Sequence, residues 1–349
     1  MVFVEQNLLL SDLVARNRDV VPIQYVRPIS ERPNLEDVIA SDKSNIPIVD
    51  LQGIDGSNWS SVVKAIGLAC QSDGFFQVNN HGISEELMAN MICVSREFFR
   101  LPVSERNNSY SDSPLKANRL STSFNVNTEK FGCWRDYLRL HCDPLEDFIH
   151  EWPSNPPSFR DVASEYSKKI RELALKLLGC ISESLGLDKD SMKNSLGKHA
   201  QHMAINYYPT CSDPQLTYGL PAHKDPNAIT LLLQDNVPGL QVLKNGKWVA
   251  VNPIPNLVVN IGDQIEVLSN GRYKSVLHRA IVNREQERMS IPTFYCPSMD
   301  SIIQPHKSLV DHKNTQLYRT FTYGEYYEMF WNRGLSRESC LDLFTISQN

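Results

Sequence analysis

Gln201-His-Met-Ala-Ile-Asn-Tyr-Tyr-Pro209 is the stretch at which this chain changes period. Before it, apolar residues recur at helical spacing; from Gln201 onward they alternate. Alternation points successive side chains to opposite faces of a strand. His202, Ala204, Asn206 and Tyr208 therefore share one face, and Met203, Ile205 and Tyr207 the other. Further strands read at 218–225, 228–234, 239–243, 247–251, 257–261, 273–282 and 288–295. Asn245-Gly246 and Asn270-Gly271 carry the chemistry of two-residue hairpin turns. Many short antiparallel strands in succession predict a sandwich or jelly roll enclosing a mouth between its sheets.

Upstream the patterns are helical. Val62, Val63, Ile66, Ala69 and Cys70 make one apolar face, as do Leu87, Met91, Val94 and Phe98 in a helix over 85–100. Ser84 is placed to cap that helix, and Pro102 to end it. Val162, Tyr166, Ile170, Leu173, Leu177, Leu178 and Ile181 predict a long helix stopped at Gly186. Ile46–Leu51, Gly74–Asn79 and Trp134–His141 read as strands. Residues 107–135 are a polar connection long enough to serve a function. The first 45 residues read as an irregular lead-in, with an amphipathic segment over Leu8–Val14 and three prolines after Val21. An aromatic helical tail begins at Thr322. The expected organisation is a lead-in (1–45), a helix-rich region (46–195), a β core (196–320) and a C-terminal helix or lid (321–349).

Composition narrows the functional classes. The 349-residue chain is 41% hydrophobic and 21% charged, with a net charge of −5. It has no basic stripe for nucleic acid and no apolar run near the roughly 18 residues that a membrane helix needs. Its N-terminus lacks a basic region before the apolar one, so no secretory signal is expected. Eight scattered cysteines, none in a CxxC pair, read as reduced thiols. A cytoplasmic protein, with the nucleus as a second location, is the expectation.

The chemistry gathers around Tyr218-Gly-Leu-Pro-Ala-His-Lys-Asp-Pro226. In an extended segment His223 and Asp225 share a face and Lys224 points away. His278 lies 55 residues further on. Two imidazoles and one carboxylate on one face of an octahedron would suit Fe(II) and leave three positions open. A three-ligand zinc hydrolase, or histidines with no metal, remain open at this point. Arg288 and Ser290 share a strand face, and an Arg fork with a hydroxyl suits the far carboxylate of a dicarboxylic acid. Asn206 and Tyr208 could bind further oxygens of the same molecule. His199 and His202 have the spacing of a metal pair but are expected to be structural, and His81 to be a turn residue.

Asn206-Tyr-Tyr-Pro209, His223-Lys-Asp225, Asn260-Ile-Gly-Asp-Gln264, Ser275-Val-Leu-His-Arg279, Arg288-Met-Ser290 and Gly74-Phe-Phe-Gln-Val-Asn-Asn-His-Gly82 together resemble the plant 2-oxoglutarate/Fe(II)-dependent dioxygenases. The likeness runs from about residue 20 to 345. Within that family the chain is most similar to the salicylate hydroxylases of the downy-mildew-resistance group, the 3-hydroxylases above all. Tyr25–Pro33, Arg119–Val126, Trp134–Cys142, Glu151–Pro156 and Lys198–Met203 carry this finer likeness. Three positions depart from the pattern: Thr210 where Pro-Pro-Cys is familiar, Glu266 where a neutral residue is expected, and Cys296.

The resemblance implies a distorted double-stranded β-helix, a jelly-roll core with helices packed around a mainly β fold. It implies Fe(II) on His223, Asp225 and His278. The cosubstrate 2-oxoglutarate would bind Arg288, Ser290, Tyr208 and Asn206, with O2 consumed and ascorbate as reductant. Oxidative decarboxylation to succinate and CO2 would be coupled to ring hydroxylation of salicylate, giving 2,3- or 2,5-dihydroxybenzoate. The substrate pocket would draw by parity on Tyr137, Arg139, His141, Ala204, Phe294 and Cys296, and on Phe124 and Asn125 from the long loop that could close over the substrate. In that sketch Arg139 is the carboxylate partner, and Phe124, Tyr137 and Phe294 form a flat slot. A monomer acting on a small phenolic substrate is expected. The alternatives are a flavonoid oxygenase and a catalytically silent small-molecule binder on the same fold.

Overall fold

The computed structural model describes residues 9–40, 46–113, 116–126 and 129–346. Its strands, in chain order, are β1 (Ile48–Asp50), β2 (Phe75–Asn79), β3 (Arg119–Thr122), β4 (Asp136–His141), β5 (Ala200–Tyr208), β6 (Leu220–His223), β7 (Ile229–Gln234), β8 (Leu240–Lys244), β9 (Lys247–Ala250), β10 (Leu257–Ile261), β11 (His278–Ala280), β12 (Arg288–Cys296), β13 (Ile302–Ile303) and β14 (Phe321–Thr322). Eight of them form one sheet in the order β1-β2-β10-β7-β12-β5-β4-β3, and four form a second in the order β6-β11-β8-β9. Only the β1–β2 pair is parallel among these two sheets. The two sheets face each other as a jelly roll, and the residues that bear chemistry lie between them.

Alternation in β5 and β12 decides which face does what. Met203, Ile205, Met289, Ile291 and Tyr295 join the main apolar core with the helices. Ala204, Asn206, Tyr208, Arg288, Ser290, Phe294 and Cys296 face the interior mouth. Full burial of each aliphatic side chain contributes about 1.5–3 kcal/mol. A one-residue slip would put Arg288 into the helix-packed core, so the pairing of Arg288 with Tyr208 and Ser290 with Asn206 is strongly specified.

The 26-residue helix Phe159–Ser184 runs behind the large sheet and packs on helices Trp59–Ser72 and Glu85–Arg100. Helix Glu85–Arg100 begins where Ser84 Oγ accepts from Leu87 N at 3.2 Å, and Leu101 leaves it in extended geometry before Pro102. Gly186 (φ +77°) turns the chain after the long helix.

Several expectations are corrected. Asn270-Gly271 does not join two strands. It follows a short helix, Asp263–Leu268, in which every residue is buried, and the strand expected over 273–282 shortens to β11. Arg119–Thr122, expected to belong to a long connection, forms β3 at the sheet edge, with Arg119 opposite Arg139. The lead-in is more ordered than expected. Leu8 lies outside the described residues, but Leu10–Arg16 is a helix whose first amides, Leu10 N and Ser11 N, donate to the buried Asp136 carboxylate at 2.9 and 2.8 Å. Leu10, Val14, Val21 and Tyr25 then pack on Trp134, Tyr208 and Val282. The lead-in thus straps the rim of the jelly roll.

Candidate active site

β6 and β11 are antiparallel neighbours, with His223 directly opposite His278. Their ring centroids are 4.3 Å apart. Asp225 follows β6 on the turn back toward β7, and its Oδ1 lies 3.7 Å from His223 Nε2 and 3.6 Å from His278 Nε2. One ligand atom from each of the three fits within 4.8 Å of the others. Among the described residues this is the only cluster of histidine, cysteine and carboxylate side chains that could hold a metal ion.

The surroundings orient the donors. His223 Nδ1 faces the Pro221 carbonyl at 2.8 Å, and His278 Nδ1 faces the Val276 carbonyl at 3.1 Å. A carbonyl can only accept, so each Nδ1 carries the proton and each Nε2 presents a lone pair to the centre. Burial, and then the neighbouring His278, push the His223 imidazole down to about 3, which keeps it neutral. Burial opposes the charge on Asp225. The two imidazoles and two hydrogen bonds outweigh it and hold the carboxyl below its usual range. Those bonds come from Thr230 Oγ1 (2.5 Å) and Asn260 Nδ2 (2.8 Å), both to Oδ2, leaving Oδ1 turned to the histidines.

The Asn260–Gln264 segment braces the same turn. Gln264 Nε2 donates to the Pro226 carbonyl at 2.7 Å, and Asp263 N to the Asp225 carbonyl at 2.9 Å. A Cβ on Gly262 would stand 2.1 Å from the Asn227 carbonyl, so only glycine allows this approach. Lys224 turns away as expected, toward Glu266. Glu266 also accepts from Lys274, Tyr318 and Ser275 N, which accounts for an acid at that position.

Two cavities open on the cluster. The inner one, about 540 Å³ including its mouth, lies between the sheets and is lined by Asn206, Tyr208, Arg288 and Ser290 together with His223, Asp225 and His278. Arg288 is buried, lies over the Tyr208 ring at 5.2 Å, and donates to Gln234 Oε1 (2.9 Å) and the Val237 carbonyl (3.2 Å). Asn206 Nδ2 donates to Ser290 Oγ at 3.3 Å. Among the described residues no carboxylate forms an ion pair with Arg288. Asp235 lies within its electrostatic reach but makes no ion pair with it, and a carboxylate-bearing ligand in the cavity would pair with the guanidinium fork directly.

The outer cavity, about 690 Å³ including its mouth, is lined by Phe124, Tyr137, Arg139, Ala204, Phe294 and Cys296, as parity suggested, and reaches His223 and Asp225. Asn125 and His141 do not line it. Asn125 N donates to Glu129 in the loop, and His141 sits behind, stacked on His202 at 5.5 Å. Arg139 lines the wall with its guanidinium donating to the Ala117 and Lys116 carbonyls. His202 lines the cavity rather than serving only the core. Burial, then His141 and Arg139, keep it neutral by pushing its pKa well down. His199 is structural as expected, bonded to Tyr295 Oη at 2.7 Å, and His81 Nδ1 closes its own turn by accepting from Ile83 N.

The sequence pointed to a C-terminal helix or lid but did not single out Arg135 or the side chains that roof the cavity. Tyr323, Tyr327, Phe330 and Trp331 of helix Tyr323–Arg333 form that roof, and Phe124 stacks on Trp331 at 4.6 Å and 8°. The aromatic repeat of that helix was legible; its direction toward the mouth was not.

A jelly roll holding two Nε2 donors and one carboxylate oxygen, beside a cavity with an unmatched arginine, defines a non-haem metalloenzyme that takes an anionic cosubstrate. The comparisons give the family. Residues 199–297 match the 2OG-Fe(II) oxygenase superfamily, and residues 46–157 match the non-haem dioxygenase N-terminal region described from morphine synthesis. Protein DMR6-LIKE OXYGENASE 2 of Arabidopsis thaliana is 56% identical over 97% of this chain and 98% of its own length. Flavanone 3-dioxygenase 2 of Oryza sativa subsp. japonica is 54% identical over 97% and 98%. The crystal structure of JOX2 in complex with 2OG, Fe and JA superposes with a TM-score of 0.87 at 37% identity, covering 98% of this chain and 99% of that one. The chain belongs to the 2OG-Fe(II) oxygenase superfamily, in its DMR6-like group. It is a dioxygenase that uses Fe(II) and 2-oxoglutarate, and the zinc-hydrolase and silent-binder alternatives fall away. No helix among the described residues is long and apolar enough to cross a membrane.

Proposed function

We propose that this dioxygenase hydroxylates the ring of salicylate, to 2,3- or 2,5-dihydroxybenzoate, while 2-oxoglutarate is converted to succinate and CO2. In this reading His223, Asp225 and His278 hold the iron, and the donor set fits it: two neutral Nε2 atoms and one oriented carboxylate oxygen. Arg288 and Ser290 hold the far carboxylate of the cosubstrate in the inner cavity, with Tyr208 and Asn206 beside it. Bound iron and cosubstrate supply the oxygen activation that no side chain can provide.

The chain's own share is to bind, orient and exclude water. Phe124, Tyr137 and Phe294 offer aromatic walls, and Ala204 leaves room for a ring. The Phe124–Trp331 stack closes the roof, so water is displaced when a ring enters. The single observation that carries the reading is an aromatic cavity with guanidinium groups in its wall, opening directly on the His223–Asp225 edge. The proposed division of labour is a strap (1–45), a helical buttress (46–195), a cofactor core (196–320) and a lid (321–349).

The likeness to the rice flavanone 3-dioxygenase supports a second reading, a flavanone as substrate. Turnover of Fe(II)-loaded protein on salicylate, naringenin and neutral phenols, with products separated and identified, tests the two. Dihydroxybenzoate from salicylate, with kcat/KM above that for naringenin, is expected. Hydroxylation confined to naringenin would replace the first reading with the second.

A further inference from the structure

Among the described residues, Arg135 is the one cation that lines both cavities. It stands just before β4 and is only 6% exposed. Its Nε donates to the Ser123 carbonyl at 2.9 Å, its Nη1 donates to Asn206 Oδ1 at 2.7 Å, and its plane lies 4.7 Å from the Tyr137 ring centre. Three contacts therefore fix the guanidinium before any ligand arrives. Among the described residues Nη2 makes no hydrogen bond and no carboxylate pairs with this arginine.

A rigid, buried fork with one free edge and no counter-ion is built for an anion. The inner cavity already offers Arg288 to a cosubstrate carboxylate. The remaining anion belongs to whatever enters the outer cavity. Arg139, the other guanidinium in that wall, spends its donors on the Ala117 and Lys116 carbonyls and so holds the approach to β3.

We propose that Arg135 is the specificity-determining residue of the substrate cavity: its free Nη2 edge receives the carboxylate of an aromatic acid and sets the ring between the aromatic walls, facing the His223–Asp225 edge. This rests on the outer cavity being the substrate site. Because Nη1 also holds Asn206, which bonds Ser290, a change at Arg135 can reach the cosubstrate, and the test must separate the two effects.

Protein loaded with Mn(II) and 2-oxoglutarate is titrated calorimetrically with salicylate and with its neutral amide, salicylamide, as wild type, Arg135→Gln and Arg135→Lys. 2-Oxoglutarate affinity and melting temperature are measured for each. A charge-assisted hydrogen bond predicts that wild type favours salicylate over salicylamide by on the order of 10- to 100-fold. In Arg135→Gln that ratio should fall toward one through loss of salicylate binding, with salicylamide affinity retained. Arg135→Lys should keep part of the ratio, since the charge remains and the planar fork is lost. A wild-type ratio near one, no binding of either ligand, or a ratio unchanged in Arg135→Gln overturns the inference. If Arg135→Gln does not fold, an unchanged ratio in Arg135→Lys overturns it. Arg135-dependent binding of salicylate without its hydroxylation supports this inference and removes the salicylate-hydroxylase reading instead.

Discussion

Replacing Asn260 by alanine should weaken metal binding without touching a metal donor. Asp225 is buried, and its Oδ2 is held by two donors, Asn260 Nδ2 and Thr230 Oγ1. These bonds keep the carboxylate ionised and turn Oδ1 to the histidines. A hydrogen bond to a charged group contributes about 1.5–3 kcal/mol, and about 1.4 kcal/mol corresponds to tenfold in an equilibrium constant. Loss of the Asn260 amide therefore predicts a metal affinity lower by on the order of 10- to 100-fold, the usual range for a group that orients a ligand. Thr230→Val, which keeps the shape and removes the other donor, should act in the same direction. The double variant should lose more than either single change, because each donor partly covers for the other. The assay is anaerobic competition for Fe(II) against a chromogenic chelator, with thermal melting run alongside to show that the variants fold. Folded Asn260→Ala and Thr230→Val proteins that both bind metal within about twofold of wild type would refute the reasoning.

Three further outcomes follow from the same geometry. Arg288→Met should raise the KM for 2-oxoglutarate by on the order of 100-fold or more and leave salicylate affinity in place, with Arg288→Lys intermediate; an unchanged KM would mean that the inner cavity does not hold the cosubstrate. Trp331→Leu removes the stacked partner of Phe124, worth about 0.5–1.5 kcal/mol, so substrate Kd should rise about 2- to 10-fold while 2-oxoglutarate affinity stays, and equal losses of both would argue against a lid role. Burial raises the Asp263 carboxyl to about 7, above its unfolded range, so the folded state holds this proton more tightly and the associated stability, full under acidic conditions, is lost as pH rises through about 7. Asp263→Asn cannot ionise and keeps an acceptor for the Tyr326 hydroxyl, so its Tm should fall less than that of wild type between about pH 4 and 7; parallel melting curves over that window would refute the assignment.

Much of this arrangement was legible in the chain because strand parity is a local property. Alternation alone put Arg288, Ser290, Phe294 and Cys296 on one face and Ala204, Asn206 and Tyr208 on the facing strand, and the cavities are lined accordingly. The same rule carried Tyr137 and Arg139. Arg135 has their parity too and lies within the stretch read as a strand over Trp134–His141, but nothing local shows that its guanidinium reaches back to Asn206. Asn125 and His141 were misjudged as pocket residues for the converse reason: Glu129 holds the loop at Asn125, and His141 is screened by His202. Asn270-Gly271 has hairpin chemistry, yet the buried helix Asp263–Leu268 overrides it, because that helix must brace the turn bearing Asp225. The roof depends on where a C-terminal helix docks, a long-range outcome that its aromatic spacing does not encode.

The central claim is that one jelly roll divides its mouth between a cosubstrate and an aromatic acid, with the metal at the boundary. The most direct measurement is a crystal structure of the protein with Mn(II) in place of iron, 2-oxoglutarate and salicylate. The ion should be bound by His223 Nε2, His278 Nε2 and Asp225 Oδ1, with 2-oxoglutarate in the inner cavity against Arg288 and Ser290 and salicylate in the outer cavity with its carboxylate on Arg135. Salicylate in the inner cavity, or a metal held by other residues, would contradict it.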